Sequence, residues 1–363
     1  MRACAKAYGW SPKKGSAQYR FGADQTVSQR LACEDCKKPS TIPGNVVVQW
    51  LPHRSLAWGA ALREKLMLTD GQRAAYDRDG FIVVPDVFPA EDIAELRRVT
   101  DEFVSASATV TANDSVYDLE DTHSAAEPRV RRLKAPHAIH PVYMRASRNP
   151  KIVELLTDLW GSLRFDTGKL NMKSAGYGAP IEWHQDWAFY PHTNEDLAAV
   201  GIMIDDVDME NGPMMVVPGS HKGPIHDHHG PDGRFCGAMD PENCDIDLSR
   251  AMPCVGKAGS ITIHHVRAVH GSATNFSGRQ RRFLLFQYRA ADAWPLLGLK
   301  EGIEKFNEQL IVGEPSLAPR LVPLPVRMPL PPAEYQGSIY ENQRAAGRRY
   351  FATLDEEPRI AAE

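Results

Sequence analysis

No stretch of this sequence approaches the roughly 18 consecutive apolar residues that a membrane-crossing helix needs. Neither charge sign dominates: 42 Lys and Arg face 46 Asp and Glu, a formal net charge of −4. There is thus no electrostatic case for a nucleic-acid partner. Cysteine is sparse, with six in 363 residues, too few for a disulfide framework, which fits a reducing, cytoplasmic setting. The polar N-terminus shows no signal-peptide core. What is present is 43% hydrophobic and 24% charged, the balance of a soluble globular chain, expected as a monomer or homodimer.

Residues 1–66 carry no sustained period of 3.6 or 2, and Cys33-Glu-Asp-Cys36 is a single pair with only His53 nearby. A structural zinc site needs a second ligand pair, so two incidental thiols are the plainer reading. The amphipathic pattern begins just after Met67. We therefore expect 1–66 to be a poorly structured extension, with a translation start at Met67 as one explanation.

From there the pattern is regular. Thr69 reads as an N-cap for a helix through Asp77, and Gly80–Pro85 as a strand. Ile93, Leu96, Val99, Thr100 and Phe103 mark a helical stripe. Residues 105–128 read as a loop. Arg129–Lys134 is basic, either a solvated strand edge or a grip for an anionic substrate. A second helix spans 150–160, stopped by Gly161. Strands follow at Leu163–Thr167, Lys169–Lys173, Ile181–Phe189, Ala199–Val207, Met214–Val217, Ser260–Val266 and Arg282–Arg289. The loop at 222–247 holds His226, His228 and His229, read as surface or lid residues. Short strands behind leading helices suggest a mainly β fold with flanking helices, a jelly-roll core. The Pro-rich 301–363 reads as an arm packing on a 67–300 domain.

Within the β region stands Trp183-His184-Gln185-Asp186-Trp187. In an extended strand, residues i and i+2 share a face, so His184 and Asp186 can converge on one point. One more histidine would complete the two-His, one-carboxylate set of non-haem Fe(II) oxygenases. His270 lies past the strand ending at Val266, with Ser272, Asn275 and Arg281 two, five and eleven residues on. Alone, His270 reads as a core histidine. Arg281, at the head of the apolar Phe283–Tyr288, is costly to bury unless an anion meets it. A small dicarboxylate would serve, and Ser272 could donate to the same group.

Together these pieces resemble the phytanoyl-CoA dioxygenase family of Fe(II)/2-oxoglutarate oxygenases. The resemblance covers roughly residues 68–295 and rests on Leu170-Asn-Met-Lys173, Trp183–Asp186, Asn211-Gly-Pro213, Pro218-Gly-Ser-His221 and His270-Gly-Ser272 with Asn275 and Arg281. It implies a double-stranded β-helix (cupin-like jelly roll), with iron on His184, Asp186 and His270. It also implies that Arg281 and Ser272 hold the distal carboxylate of 2-oxoglutarate, with Lys173 as a further cosubstrate contact. His264 and His265 are alternatives for the third ligand, but only His270 keeps the Ser, Asn and Arg register. Arg279 and Arg282 compete with Arg281; spacing and strand face favour Arg281.

The implied reaction uses Fe(II), 2-oxoglutarate and O2, with ascorbate as an optional reductant. It hydroxylates an aliphatic C–H bond of a small organic or acyl substrate, with release of succinate and CO2. Trp187, Phe189 and Tyr190 follow the ligands and are expected in the substrate pocket. Halogenation or ring rearrangement at the same iron is the first alternative, and Asp186, where a halogenase has a small residue, favours hydroxylation. A non-catalytic cupin-like binding protein is the second, and a small-solute hydroxylase of the ectoine type the third.

Overall fold

The computed structural model describes residues 67–240, 242–334 and 338–351; the N-terminal extension, with Cys33 and Cys36, lies outside the described residues. In chain order the elements are α1 (Asp70–Asp79), β1 (Phe81–Val84), α2 (Ala90–Ala106), β2 (Tyr117–Leu119), β3 (Val130–Lys134), α3 (Pro136–Ile139), α4 (Pro141–Ser147) and α5 (Pro150–Trp160). Then come β4 (Leu163–Lys173), β5 (Ile181–His184), β6 (Leu197–Met203), β7 (Met214–Val216), β8 (Met252–Cys254), β9 (Ile261–His265), β10 (His270–Ser272) and β11 (Arg281–Arg289). The last are α6 (Gly302–Glu308), β12 (Leu310–Val312) and α7 (Ile339–Asn342). Among the described residues no helix is long and apolar enough to cross a membrane.

The helices begin and end where local chemistry dictates. Thr69 accepts from the Gln72 amide while the Gln72 side chain returns to the Thr69 amide, a capping box for α1. Gly80, at φ 81°, closes α1 two residues later than the sequence suggests. Asn149 caps α5, Pro150 fills its first turn and Gly161 ends it in the left-handed region.

Two antiparallel sheets hold the strands. The larger runs β1-β9-β6-β11-β4-β3-β2 with β12 added on β4, and the smaller runs β5-β10-β7-β8. Strands β4, β6, β9 and β11 lie in the first and β5, β7, β8 and β10 in the second, so the chain repeatedly crosses between them. The two-residue period of a strand then decides what each side chain meets. Leu284, Phe286, Ile202, Ile263 and Leu170 face outward onto Leu96 and Val99 of α2 and Ile152, Leu155 and Leu156 of α5. Phe283, Leu285, Ala199 and Met203 face inward onto Met214, Val216 and Cys254 of the smaller sheet. With both faces covered, β11 is buried along its whole length.

Three expectations need correction here. Residues 163–173 form one strand rather than two; Gly168 does not interrupt it but makes room for Phe286, whose ring an added Cβ would meet at 2.6 Å. The 105–128 loop contains β2, paired with β3. The expected strand 181–189 stops at His184, and Asp186–Ala188 forms a short 3-10 turn.

Candidate metal centre and cosubstrate pocket

His184 ends β5 and His270 opens β10, and the two strands pair so that these residues stand opposite each other. Their ring centroids are 4.1 Å apart. Asp186 reaches the same point from the turn, not from a strand face. Ligand atoms of His184, Asp186 and His270 all lie within 4.8 Å of one another, and all three residues are buried. The intervening Gln185 explains how a turn can be held this firmly. Its side chain donates to the carbonyls of Pro224 and Arg267 and accepts from the His226 amide. Its own amide donates to Nε2 of His228. His228 is therefore buried, not a surface or lid residue as the loop composition suggested.

Both histidines have one ring nitrogen committed. Nδ1 of His184 donates to the Glu182 carbonyl at 2.8 Å, and Nδ1 of His270 to the Ala268 carbonyl at 2.9 Å. Such bonds fix the tautomer and leave Nε2 as the free donor to a metal. Burial, then each neighbouring positive site, pushes both imidazoles below the usual histidine range, which keeps them in the neutral form that a metal requires. Burial works to raise Asp186, but Lys169 and the three nearby histidines outweigh it and hold the carboxyl well below its usual range. The donor set of two neutral imidazoles and one carboxylate fits Fe(II). His264 is also close, its Nε2 3.9 Å from Asp186 Oδ2, and neither of its ring nitrogens has a hydrogen-bond partner.

A small cavity opens on these residues, walled by Lys169, Asn171, Ile181, Met214, His264, Ser272, Arg281, Phe283, Leu285 and Ile339. Arg281 is 2% exposed and, among the described residues, has no carboxylate in contact; Nη2 donates to the Gly212 carbonyl at 2.6 Å, and Nε has no partner there. Burial lowers its pKa to about 10. The Ser272 hydroxyl is likewise buried and unpartnered. The neighbouring arginines are occupied elsewhere. Arg282 points to the other face and bonds Asp205 and Asp101, while Arg279 lies at the surface with Asp208 and Glu210. Gly212, at φ +71°, lets its backbone approach: an added Cβ would lie 2.6 Å from the Ala273 carbonyl.

Two expected site residues fall elsewhere. Lys173 shares the inward face of β4 with Lys169 and Asn171, but its ammonium donates to the carbonyls of Ala179 and Ala273 at 2.7 and 2.6 Å. It ties the end of β4 to β10 instead of entering the cavity. Trp187 packs among Leu197, Val266, Ala290 and Ala293, with its indole N–H on the Pro325 carbonyl, so it belongs to the core. Phe189 and Tyr190 do line a second cavity of about 220 Å³, with Arg132, Thr167, Lys169, Asp186, Gln287, Ile339 and Asn342. Lys169, Asn171, Ile339 and Asn342 escaped the sequence reading. The period-two pattern back from Lys173 could have flagged the first two. Nothing in the sequence points to Ile339 or Asn342, which come from α7 beyond the Pro-rich stretch. That segment is sewn to the metal turn: the Gln343 side chain accepts from the Glu182 amide and donates to its carbonyl.

The donor set fits a non-haem iron enzyme, and comparison with known proteins gives the class, an Fe(II)/2-oxoglutarate-dependent dioxygenase. The chain belongs to the phytanoyl-CoA dioxygenase family, whose model (Phytanoyl-CoA dioxygenase, PhyH) matches residues 76–283. It is 37% identical over 289 residues to a probable alpha-ketoglutarate-dependent hypophosphite dioxygenase of Stutzerimonas stutzeri, covering 78% of this chain and 100% of that one. It is 30% identical to the L-proline trans-4-hydroxylase of Streptomyces griseoviridis, over 61% of this chain and 87% of the other. The crystal structure of EctD from S. alaskensis with bound Fe shares the fold, at 23% identity and a TM-score of 0.52, over 62% and 77% of the two chains.

Proposed function

We propose that this enzyme hydroxylates a small substrate held beside an iron carried by His184, Asp186 and His270, with Arg281 and Ser272 gripping the distal carboxylate of 2-oxoglutarate. The observation that carries the reading is Arg281, a buried guanidinium with no carboxylate in contact, facing the same cavity as the partnerless Ser272 hydroxyl and the three ligands. A buried cation of this kind calls for an anion, and one end of a dicarboxylate supplies it. The strand order supports reading the core, residues 67–300, as a double-stranded β-helix of the cupin-like jelly-roll kind, with 301–363 as an arm whose described residues Ile339 and Asn342 line the pocket.

Iron, 2-oxoglutarate and O2 together supply the oxidising power, and succinate and CO2 leave. The chain's own part is placement. The carbonyls of Glu182 and Ala268 orient the two imidazoles, and the backbone bonds of Gln185 hold Asp186 on its turn. Lys173 fixes the carbonyl that follows Ser272. Ile181, Met214, Phe283, Leu285 and Ile339 give the cavity its apolar lining, and Tyr190, beside Asp186 and bonded to Gln287, stands in the wall of the adjoining cavity.

For the substrate, C–H hydroxylation of a small organic molecule stands beside a second reading favoured by the hypophosphite relative, matched over its whole length. There the bond oxidised is P–H: one O2 and one 2-oxoglutarate would convert hypophosphite to phosphite, with succinate and CO2. The test is succinate release by anaerobically iron-loaded enzyme offered hypophosphite, L-proline or ectoine, with mass spectrometry for a product heavier by one oxygen. Iron-loaded enzyme that consumes no 2-oxoglutarate under any of these conditions would refute the assignment.

A further inference from the structure

We propose that Arg132 and Lys169 form the binding site for a small oxyanionic substrate, closed over by Asn342 of the C-terminal helix. This rests on the dioxygenase reading above and names the substrate class for it. Arg132 on β3 and Lys169 on β4 project from the same inward face, since Arg132 pairs with Asn171 and Lys134 with Lys169. Both reach the cavity of about 220 Å³ beyond Asp186. Neither has its charge matched there. The nearest carboxylate to Arg132 is Asp118, 3.9 Å from Nε, and that carboxylate sits 2.8 Å from the ammonium of Lys134. The Nε of Arg132 is buried without a hydrogen-bond partner. Lys169 makes no hydrogen bond or ion pair among the described residues, and its electrostatic partner is Asp186, a carboxylate that the metal claims.

With a divalent cation on Asp186, the cavity would be lined by the Arg132 guanidinium and the Lys169 amine with no free carboxylate among the described residues. Burying such charges is costly unless a counter-ion enters with the ligand. The two carboxylates of 2-oxoglutarate would not meet this need if, as proposed above, one were held at the metal and the other at Arg281. Arg132 also lies outside the cavity that Arg281 lines. At about 220 Å³ the cavity admits a phosphorus oxyanion or a short carboxylate. Asn342 stands in the same wall, its side-chain oxygen buried without a partner among the described residues; with the amide turned over, its N–H2 group would donate to an oxyanion there.

The phosphorus and carbon sources of an oxyanion are separated by experiment. Anaerobic Fe(II) enzyme with 2-oxoglutarate has a visible charge-transfer band, and hypophosphite, phosphite and L-proline are titrated against it in the wild type, Arg132→Gln, Arg132→Lys and Lys169→Met. At least one oxyanion should perturb the band saturably. Arg132→Gln and Lys169→Met should each weaken it by about 10- to 100-fold, the worth of a hydrogen bond to a charged group. Arg132→Lys should recover part of the loss, and in both Arg132 variants, whose residue lies outside the cavity that Arg281 lines, the Kd for 2-oxoglutarate should stay within about twofold. Hypophosphite as the tighter ligand assigns the phosphorus source, and L-proline the carboxylate source. The proposal is overturned if no oxyanion perturbs the wild-type band, if the variants bind it as well as the wild type, or if 2-oxoglutarate affinity falls in step, which would give these cations to the cosubstrate. Absence of the band itself in the wild type points instead to failure of the dioxygenase reading.

Discussion

Replacing Arg281 by alanine is the sharpest test of the cosubstrate assignment. Its guanidinium is 2% exposed, keeps one bond to the Gly212 carbonyl at 2.6 Å, and has an unpartnered Nε. A carboxylate arriving there makes charge-assisted, fork-shaped hydrogen bonds in a dry pocket. Removing one partner of such a pair costs about 2–5 kcal/mol. At about 1.4 kcal/mol per decade, 2-oxoglutarate binding should weaken by roughly 30- to several-thousand-fold. Iron affinity should hold, because Arg281 is not a ligand. The apo protein should lose little stability, since the native charge is uncompensated, yet the gain in Tm on adding 2-oxoglutarate should vanish. Anaerobic calorimetric titration and thermal melts read both effects. Arg281→Lys should recover only part of the affinity, because a point charge cannot reproduce the fork. Arg282→Ala should instead lower stability, by releasing Asp205 and Asp101, without touching affinity. Wild-type affinity in Arg281→Ala, or the large loss appearing in Arg279→Ala, would falsify the reasoning.

Three further outcomes are expected. His184→Ala, Asp186→Ala and His270→Ala should each lose iron by metal analysis and lose turnover, whereas His264→Ala should keep its iron; loss of iron in His264→Ala alone would reassign the third ligand. Deleting residues 1–66 should leave iron binding and 2-oxoglutarate turnover nearly intact, because the sequence shows no ligand and no regular core pattern there; a truncated chain that fails to fold contradicts this. Stability should fall as pH drops below about 6.5. Burial pushes His192 and His228 down to about 4, while an unfolded histidine takes its proton near pH 6.5. Between those values the unfolded state binds more protons, so each histidine removes about 1.4 kcal/mol per pH unit. A Tm that is flat or rising from pH 7 to 5 would contradict the burial of these rings.

The sequence by itself determined what depends on spacing along the chain. The N-cap at Thr69, the stop at Gly161 and the strand alternation of β11 were legible because their causes lie within a few residues. His184, Asp186, His270 and Arg281 could be singled out from motif order and spacing together with the family resemblance those motifs carry, although Asp186 does not stand on the strand face expected for it. Tertiary structure decided the rest. It ended β5 at His184 and delivered Asp186 from a turn, because Gln185 is held by residues about 40 and 82 positions away. It turned Lys173 onto backbone carbonyls and left Lys169 in the cavity; both share one strand face, and only the loops that cover the strand's end distinguish them. It sent Trp187 to the core, and it brought Ile339 and Asn342 of the C-terminal arm to the pocket. Such contacts depend on which distant backbone covers a side chain, and a period of two or 3.6 residues carries no information about that.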